Sequence, residues 1–147
     1  MEARVVDITR KPPVRREAVA SGFIKLRKTS VEAIKTGRVG KGDVKSVASI
    51  AAIMGVKETP RIIPLTHPIP IEHVEPRIIL RDDGVEVRVR VATTAKTGVE
   101  MEALAGVAAA LLSIWDMVKS LEKDESGNYP DTEISSIRVE LKLKTGE

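Results

Sequence analysis

Four short blocks of this sequence carry side chains that can move protons or hold phosphate. Lys41 stands between Gly40 and Gly42, directly before Asp43 and a helical pattern. Glycines let the backbone approach an anion, a helix start offers unpaired amides, and an ammonium adds charge. The block is therefore either a phosphate site or a surface turn, and it is not the longer Walker pattern. His67 sits between Thr66 and Pro68 in a proline-rich stretch. Its imidazole can shuttle a proton near neutral pH or simply brace the loop. Glu100 and Glu102 flank Met101 at the start of an apolar helical run, where carboxylates suit the dipole as well as a ligand. Asp116 and Lys119, three residues apart on that run, form either a proton-transfer pair or a helical ion pair.

Spacing adds a constraint. Fourteen residues separate Glu102 from Asp116, about 21 Å along one continuous helix. If both act on one substrate, either that substrate is long or the pocket is assembled from two subunits. His73, with Glu72 beside it, matches no standard zinc spacing, and no metal is expected.

These groups must be positioned by a chain of 147 residues, 42% hydrophobic, a length typical of one domain; residues 1 to 147 are read as a single domain. There is no cysteine, which excludes disulfides, thiolate-held iron–sulfur clusters and thiol nucleophiles. Residues 1 to 9 mix charges with short aliphatics and lack the apolar core of a secretion signal, so a cytoplasmic protein is expected. The net charge of +3 divides into +7 over residues 1 to 58 and −4 over the rest, a polarity suited to an anionic ligand or to pairing between subunits. Phe23, Trp115 and Tyr129 are the only aromatics, too few for the stacking platforms of a nucleic-acid binder.

Phe23 to Leu26 reads as a strand end, and Ser30 as the N-cap of a short helix, Val31 to Thr36, stopped at Gly37. Asp43 caps a second helix with Val47, Ile50, Ala51 and Met54 at helical spacing, ending near Gly55. Prolines at 60, 64, 68, 70 and 76 forbid regular helix and predict a structured loop leading into a strand. Val74 to Leu80 and Val85 to Ala92 flank Asp82-Asp83-Gly84 as a hairpin, with Val85, Val87, Val89 and Val91 on its core face. A helix from about Val99 to Lys123 contains thirteen uncharged residues, Ala103 to Trp115, short of the ~20 that span a bilayer. It reads as a buried helix needing cover on two sides, one of them from a partner subunit. Ile134 to Lys144 alternates as a last strand, with Ile137, Val139, Leu141 and Leu143 in phase. The pattern is α+β, an antiparallel sheet with helices packed on one face.

Taken together and in order, Val6-Asp7-Ile8-Thr9, Arg16-Glu17-Ala18, Gly40-Lys41-Gly42-Asp43, Ile63-Pro64-Leu65-Thr66-His67-Pro68, Thr97 to Leu104 and Trp115-Asp116-Met117-Val118-Lys119 resemble the cyclic pyranopterin monophosphate synthases. The resemblance implies a ferredoxin-like fold assembled as a trimer of dimers with pockets at subunit interfaces. It implies a lyase of molybdenum cofactor biosynthesis that converts a cyclised dihydro-GTP to cyclic pyranopterin monophosphate and pyrophosphate, without a cofactor. Carried over by position, Lys41, Asp116 and Lys119 are the catalytic group, and Arg16, Thr66, His67, Glu100, Met101 and Glu102 bind substrate. Thr66 stands where many relatives have Cys, Lys96 where Arg is frequent and Trp115 where Tyr is frequent. The C-terminal end lacks the glycine- and lysine-rich tail of some relatives. Two other classes compete, a noncatalytic assembly module and a basic nucleic-acid binder through residues 1 to 58; neither nucleic acid nor membrane is an expected partner.

Overall fold

A computed structural model describes residues 2–146. Strand β1 (Val14–Lys25) leads through helices α1 (Lys28–Lys35), α2 (Val44–Lys57) and α3 (Thr59–Ile62) to the hairpin of β2 (His73–Arg81) and β3 (Gly84–Ala95). Helix α4 (Glu100–Glu122) and strand β4 (Glu133–Thr145) follow. The sheet order is β2-β3-β1-β4 with every neighbouring pair antiparallel. This is the arrangement of two interleaved β-α-β units, the ferredoxin-like architecture expected.

Alternation decides which face of the sheet is covered. Ala18, Ala20 and Ile24 of β1, with Val85, Val87, Val89 and Val91 of β3, are buried beneath α4. The opposite face carries ion pairs such as Arg90 with Glu17, Arg81 and Arg88 with Glu86, and Arg138 with Glu140. Arg138 and the Ser21 hydroxyl together depress the Glu140 carboxyl to about 2. Helix α4 therefore lies over the two central strands, with α2 against it. Their axes approach closely because the contact is built from small residues. A Cβ on Gly55 would come within 2.7 Å of the Ala105 carbonyl, and one on Gly106 within 3.0 Å of the Ala52 carbonyl. The long apolar helix is thus a core helix, packed on both the sheet and α2.

Several local expectations change. Helix α1 starts at Lys28, and Ser30 lies inside it, buried, donating its hydroxyl to Glu122 rather than capping. Gly37, at φ 71°, ends the helix with Arg38 N–H donating to the Ala33 carbonyl and Gly37 N–H to that of Ile34, a Schellman closure. Asp43 does cap α2 through Ser46 N–H, but the helix runs two residues past Gly55. Its buried stripe is Val44, Ala48, Ala52, Gly55 and Val56, whereas Val47, Ile50 and Met54 are exposed. One turn of helix also forms within the proline-rich stretch, because Pro60 occupies the first turn, where a missing N–H costs nothing.

The last strand departs most. Ser136 adopts a positive φ of 59°, and the β1–β4 register shifts between Ser21 and Phe23 and again between Val19 and Ala20. Val139 pairs with Ala20 on the helix-covered side, while Leu141 pairs with Val19 and Leu143 with Glu17 on the open side. Directly paired residues share a face. The four aliphatics expected in phase are therefore split between the two faces by a bulge.

Candidate functional site

The sequence-selected residues fall into two groups at opposite ends of α4. The N-terminal group lines a cavity of about 320 Å³. One wall is the start of α4 and the turn before it, with Thr97, Gly98, Glu100, Met101 and Glu102. A second is Leu65, Thr66 and His67, and a third is an N-terminal arm that contributes Val6, Ile8 and Lys11.

Two carboxylates dominate this cavity. Glu102 is buried, and loss of solvent, reinforced by the neighbouring Glu100 charge, pushes its carboxyl above the ordinary range. Glu100 receives one ammonium contact, from Lys142 on β4 at 3.4 Å to its Oε1. Its Oε2 is buried with no hydrogen-bond donor among the described residues. A buried acceptor left open costs free energy unless a ligand satisfies it. Gly98 belongs to the same construction, since a Cβ there would collide with that oxygen.

His67 is held by a contact of 2.6 Å from Nε2 to the Val6 carbonyl. A carbonyl has no proton to give, so Nε2 carries the hydrogen and a neutral ring presents Nδ1 as an acceptor. The Thr66 hydroxyl donates to the Ile63 carbonyl at 2.8 Å, fixing the loop. Arg16 is buried in β1 with Nε on the Ala95 carbonyl and Nη2 on that of Lys96, bracing the segment that leads into α4.

The second group is the triad Lys41, Asp116 and Lys119. Lys41 Nζ lies 2.8 Å from Asp116 Oδ2, and Lys119 Nζ lies 3.1 Å from Oδ1. Hydrogen bonding to Lys41 first, and to Lys119 second, holds the Asp116 carboxyl below its ordinary range. Gly42, at φ 118°, shapes the turn that brings Lys41 across to α4. All three side chains are about half exposed, and a shallow concavity beside Asp116 and Lys119 is lined by Leu112, Trp115 and Ile134. Two ammonium groups around one carboxylate form a cationic surface that can take phosphate oxygens, with a proton acceptor at its centre.

The two groups share no residue, as the length of α4 requires. Sequence reasoning missed Lys11, Ile8 and Leu65 as neighbours of the glutamates. The signal for Ile8 was the Val6-Asp7-Ile8-Thr9 block, which carried resemblance but no assigned role; Lys11 lies two residues beyond it. Among the described residues, no group of three or more His, Asp or Glu is arranged to hold a metal ion.

Comparison with known proteins bears on the same residues. The model of the MoaC family matches residues 5–146. A protein of Aeropyrum pernix named "Probable cyclic pyranopterin monophosphate synthase" is 75% identical over 142 residues, covering 97% of both chains. One of the same name from Archaeoglobus fulgidus is 53% identical over 146 residues, covering 99% of this chain and 94% of its own. A Methanothermobacter thermautotrophicus protein at 52% identity, covering 96% and 89%, is named "Probable cyclic pyranopterin monophosphate synthase accessory protein".

Proposed function

This chain belongs to the MoaC family, and on that premise we propose that it is a cyclic pyranopterin monophosphate synthase. It converts (8S)-3',8-cyclo-7,8-dihydroguanosine 5'-triphosphate to cyclic pyranopterin monophosphate and pyrophosphate, a phosphorus–oxygen lyase step of molybdenum cofactor biosynthesis. The observation that carries this reading is the open, buried Oε2 of Glu100 beside buried Glu102. A guanine-derived ring offers adjacent N–H donors along one edge, and a carboxylate accepts such a pair in the plane of the ring. Met101 and Leu65 provide apolar surface for its faces, and His67 Nδ1 a further acceptor.

The chemistry falls to the triad. Opening the purine-derived ring and closing the pterin requires several proton transfers, which a carboxylate and an ammonium in contact can perform. Asp116 takes a proton and Lys119 returns one. Asp116 is a weak base while both lysines hold it, and becomes stronger when phosphate oxygens draw those ammonium groups away. Forming the cyclic phosphate makes one P–O bond at the α-phosphorus and breaks the bond to pyrophosphate. Lys41 and Lys119 stabilise charge on the departing oxygens.

A single α4 cannot serve one small substrate from both ends, so the working site pairs the glutamate cavity of one subunit with the triad of another. Support for assembly comes from apolar surface left uncovered on two sides of the chain: Val47, Ile50 and Met54 of α2 with Leu112 of α4, and Leu141 and Leu143 on the open sheet face. A trimer of dimers satisfies both. We take the enzyme as one synthase domain working in the cytoplasm, where GTP is supplied. Incubating the protein with the cyclised dihydro-GTP and following pterin and pyrophosphate together tests the reading. Lys41→Ala and Asp116→Ala abolish both products; a folded, oligomeric wild type that releases neither refutes it.

A further inference from the structure

The arm ahead of β1 has no helix or strand of its own, yet it is not placed at random. Asp7 Oδ1 accepts from the Thr9 amide at 2.9 Å and from its hydroxyl at 2.5 Å, and Lys11 N–H closes the turn onto the Ile8 carbonyl at 3.0 Å. Pro12 and Pro13 join this compact turn to β1 with fixed φ, so the turn can swing only as a unit. Two side chains of the body tether it: His67 Nε2–H donates to the Val6 carbonyl, and Lys96 Nζ donates to the Thr9 carbonyl at 3.3 Å. Ile8 is partly buried against the cavity, Val6 is 66% exposed, and the Lys11 ammonium makes no ion pair with any described residue.

We propose that residues 6 to 11 are a strap over the glutamate cavity, latched by His67, which closes on the ring of the substrate and presents Lys11 to its anionic part. Val6 and Ile8 supply apolar cover opposite Met101. Lys142 is already drawn to Glu100, so Lys11 is the lysine of the cavity lining that can meet a polyphosphate entering beside the two glutamates. His67 then acts on the strap as well as on the ligand, through opposite ring nitrogens. The ligand half of this inference rests on the proposed function; the latch does not.

Limited tryptic cleavage after Arg10, followed by mass spectrometry on the intact protein without ligand, tests the latch. His67→Ala speeds that cleavage roughly five-fold, the population change that loss of one hydrogen bond produces, and Lys96→Met has a smaller effect in the same direction. Both side chains are half-buried and lie outside the hydrophobic core, so these variants fold. Unchanged cleavage in both overturns the latch. For the ligand half, Lys11→Ala raises KM for the cyclised dihydro-GTP about ten-fold with kcat nearly held, and Lys11→Arg restores it. Saturating substrate slows cleavage after Arg10 in an Asp116→Ala variant that cannot turn it over. Normal KM in Lys11→Ala, or cleavage indifferent to substrate, overturns closure. Absent turnover in wild type with a working latch refutes the functional reading instead.

Discussion

If each active site joins the glutamate cavity of one subunit to the triad of another, two inactive variants must rescue each other. Glu102→Ala destroys the cavity half, and Asp116→Ala the triad half. Neither alone supports turnover. When the two chains are expressed together in equal amounts and assemble at random, a given site is intact only if its cavity comes from an Asp116→Ala subunit and its triad from a Glu102→Ala subunit. Each condition holds half the time, so roughly one quarter of wild-type activity returns in a symmetric assembly. A site built within one chain gives none, because every chain then carries one lesion in its own site. The structural basis is the about 21 Å of α4 between the two residues, far beyond the reach of both side chains to one reacting centre. The assay is pterin formation by co-purified, differently tagged chains, with separately purified variants mixed just before assay as the control. Activity no higher than that of either parent refutes the two-subunit site.

Other outcomes follow from single residues. Glu122 is fully buried and accepts from the Ser30 and Thr132 hydroxyls and the Arg27 amide, with Thr132 at 2.7 Å and Arg27 at 3.1 Å. Glu122→Ala orphans three donors and costs about 3–5 kcal/mol, lowering Tm by roughly 10 °C in calorimetry, while Glu122→Gln costs less than half of that. Glu102→Gln removes the cost of burying an ionisable carboxyl and raises Tm at pH 7 by about 2–4 °C while weakening substrate binding. The folded protein holds the Glu102 carboxyl above its unfolded 4.5, so the contribution of Glu102 to stability is greatest below that pH and declines as pH rises through the folded value. The advantage of Gln must therefore vanish in thermal melts below pH 4.5; an advantage that persists there contradicts burial as its cause. Finally, Lys41→Met removes the larger of the two influences that depress Asp116, and a carboxyl titration followed by NMR moves upward.

Much of the fold could be read from the chain because its strands and core helix repeat cleanly. The valines of β3 alternate with charged residues from Val85 to Val91, and two aspartates mark the turn before them. The failures share a cause: they depend on partners distant in sequence. Ser30 has the type and position of a cap, but its partner is Glu122, 92 residues away. On β4, period-two reading assigns Val139 and Leu141 one face, because a bulge leaves no trace in the pattern of aliphatics. The stripe Val47, Ile50 and Met54 on α2 has helical spacing but lies opposite the small residues that face α4. Of the site, residue types were legible and pairings were not. Nothing local shows that Lys41 reaches Asp116 across 75 positions, or that Arg16 turns to the carbonyls ahead of α4.

That α2 is apolar on two faces is informative about how stability and catalysis are tied together. A monomer gains nothing from Val47, Ile50 and Met54 in water, and these residues lie on the helix that Asp43 caps, two residues beyond Lys41. Covering them with a second copy would bury apolar surface beside the triad, and each exposed CH₂ removed from water contributes about 0.8 kcal/mol. Such docking would lower the local dielectric around Asp116, Lys41 and Lys119, which are half exposed in one chain. In the proposed assembly, docking would supply the dry surroundings that the triad lacks in one chain. A charged substitution such as Ile50→Glu should then separate the subunits, leave the fold of each intact by circular dichroism, and remove turnover. Dissociated chains that remain active would show that the triad needs no partner.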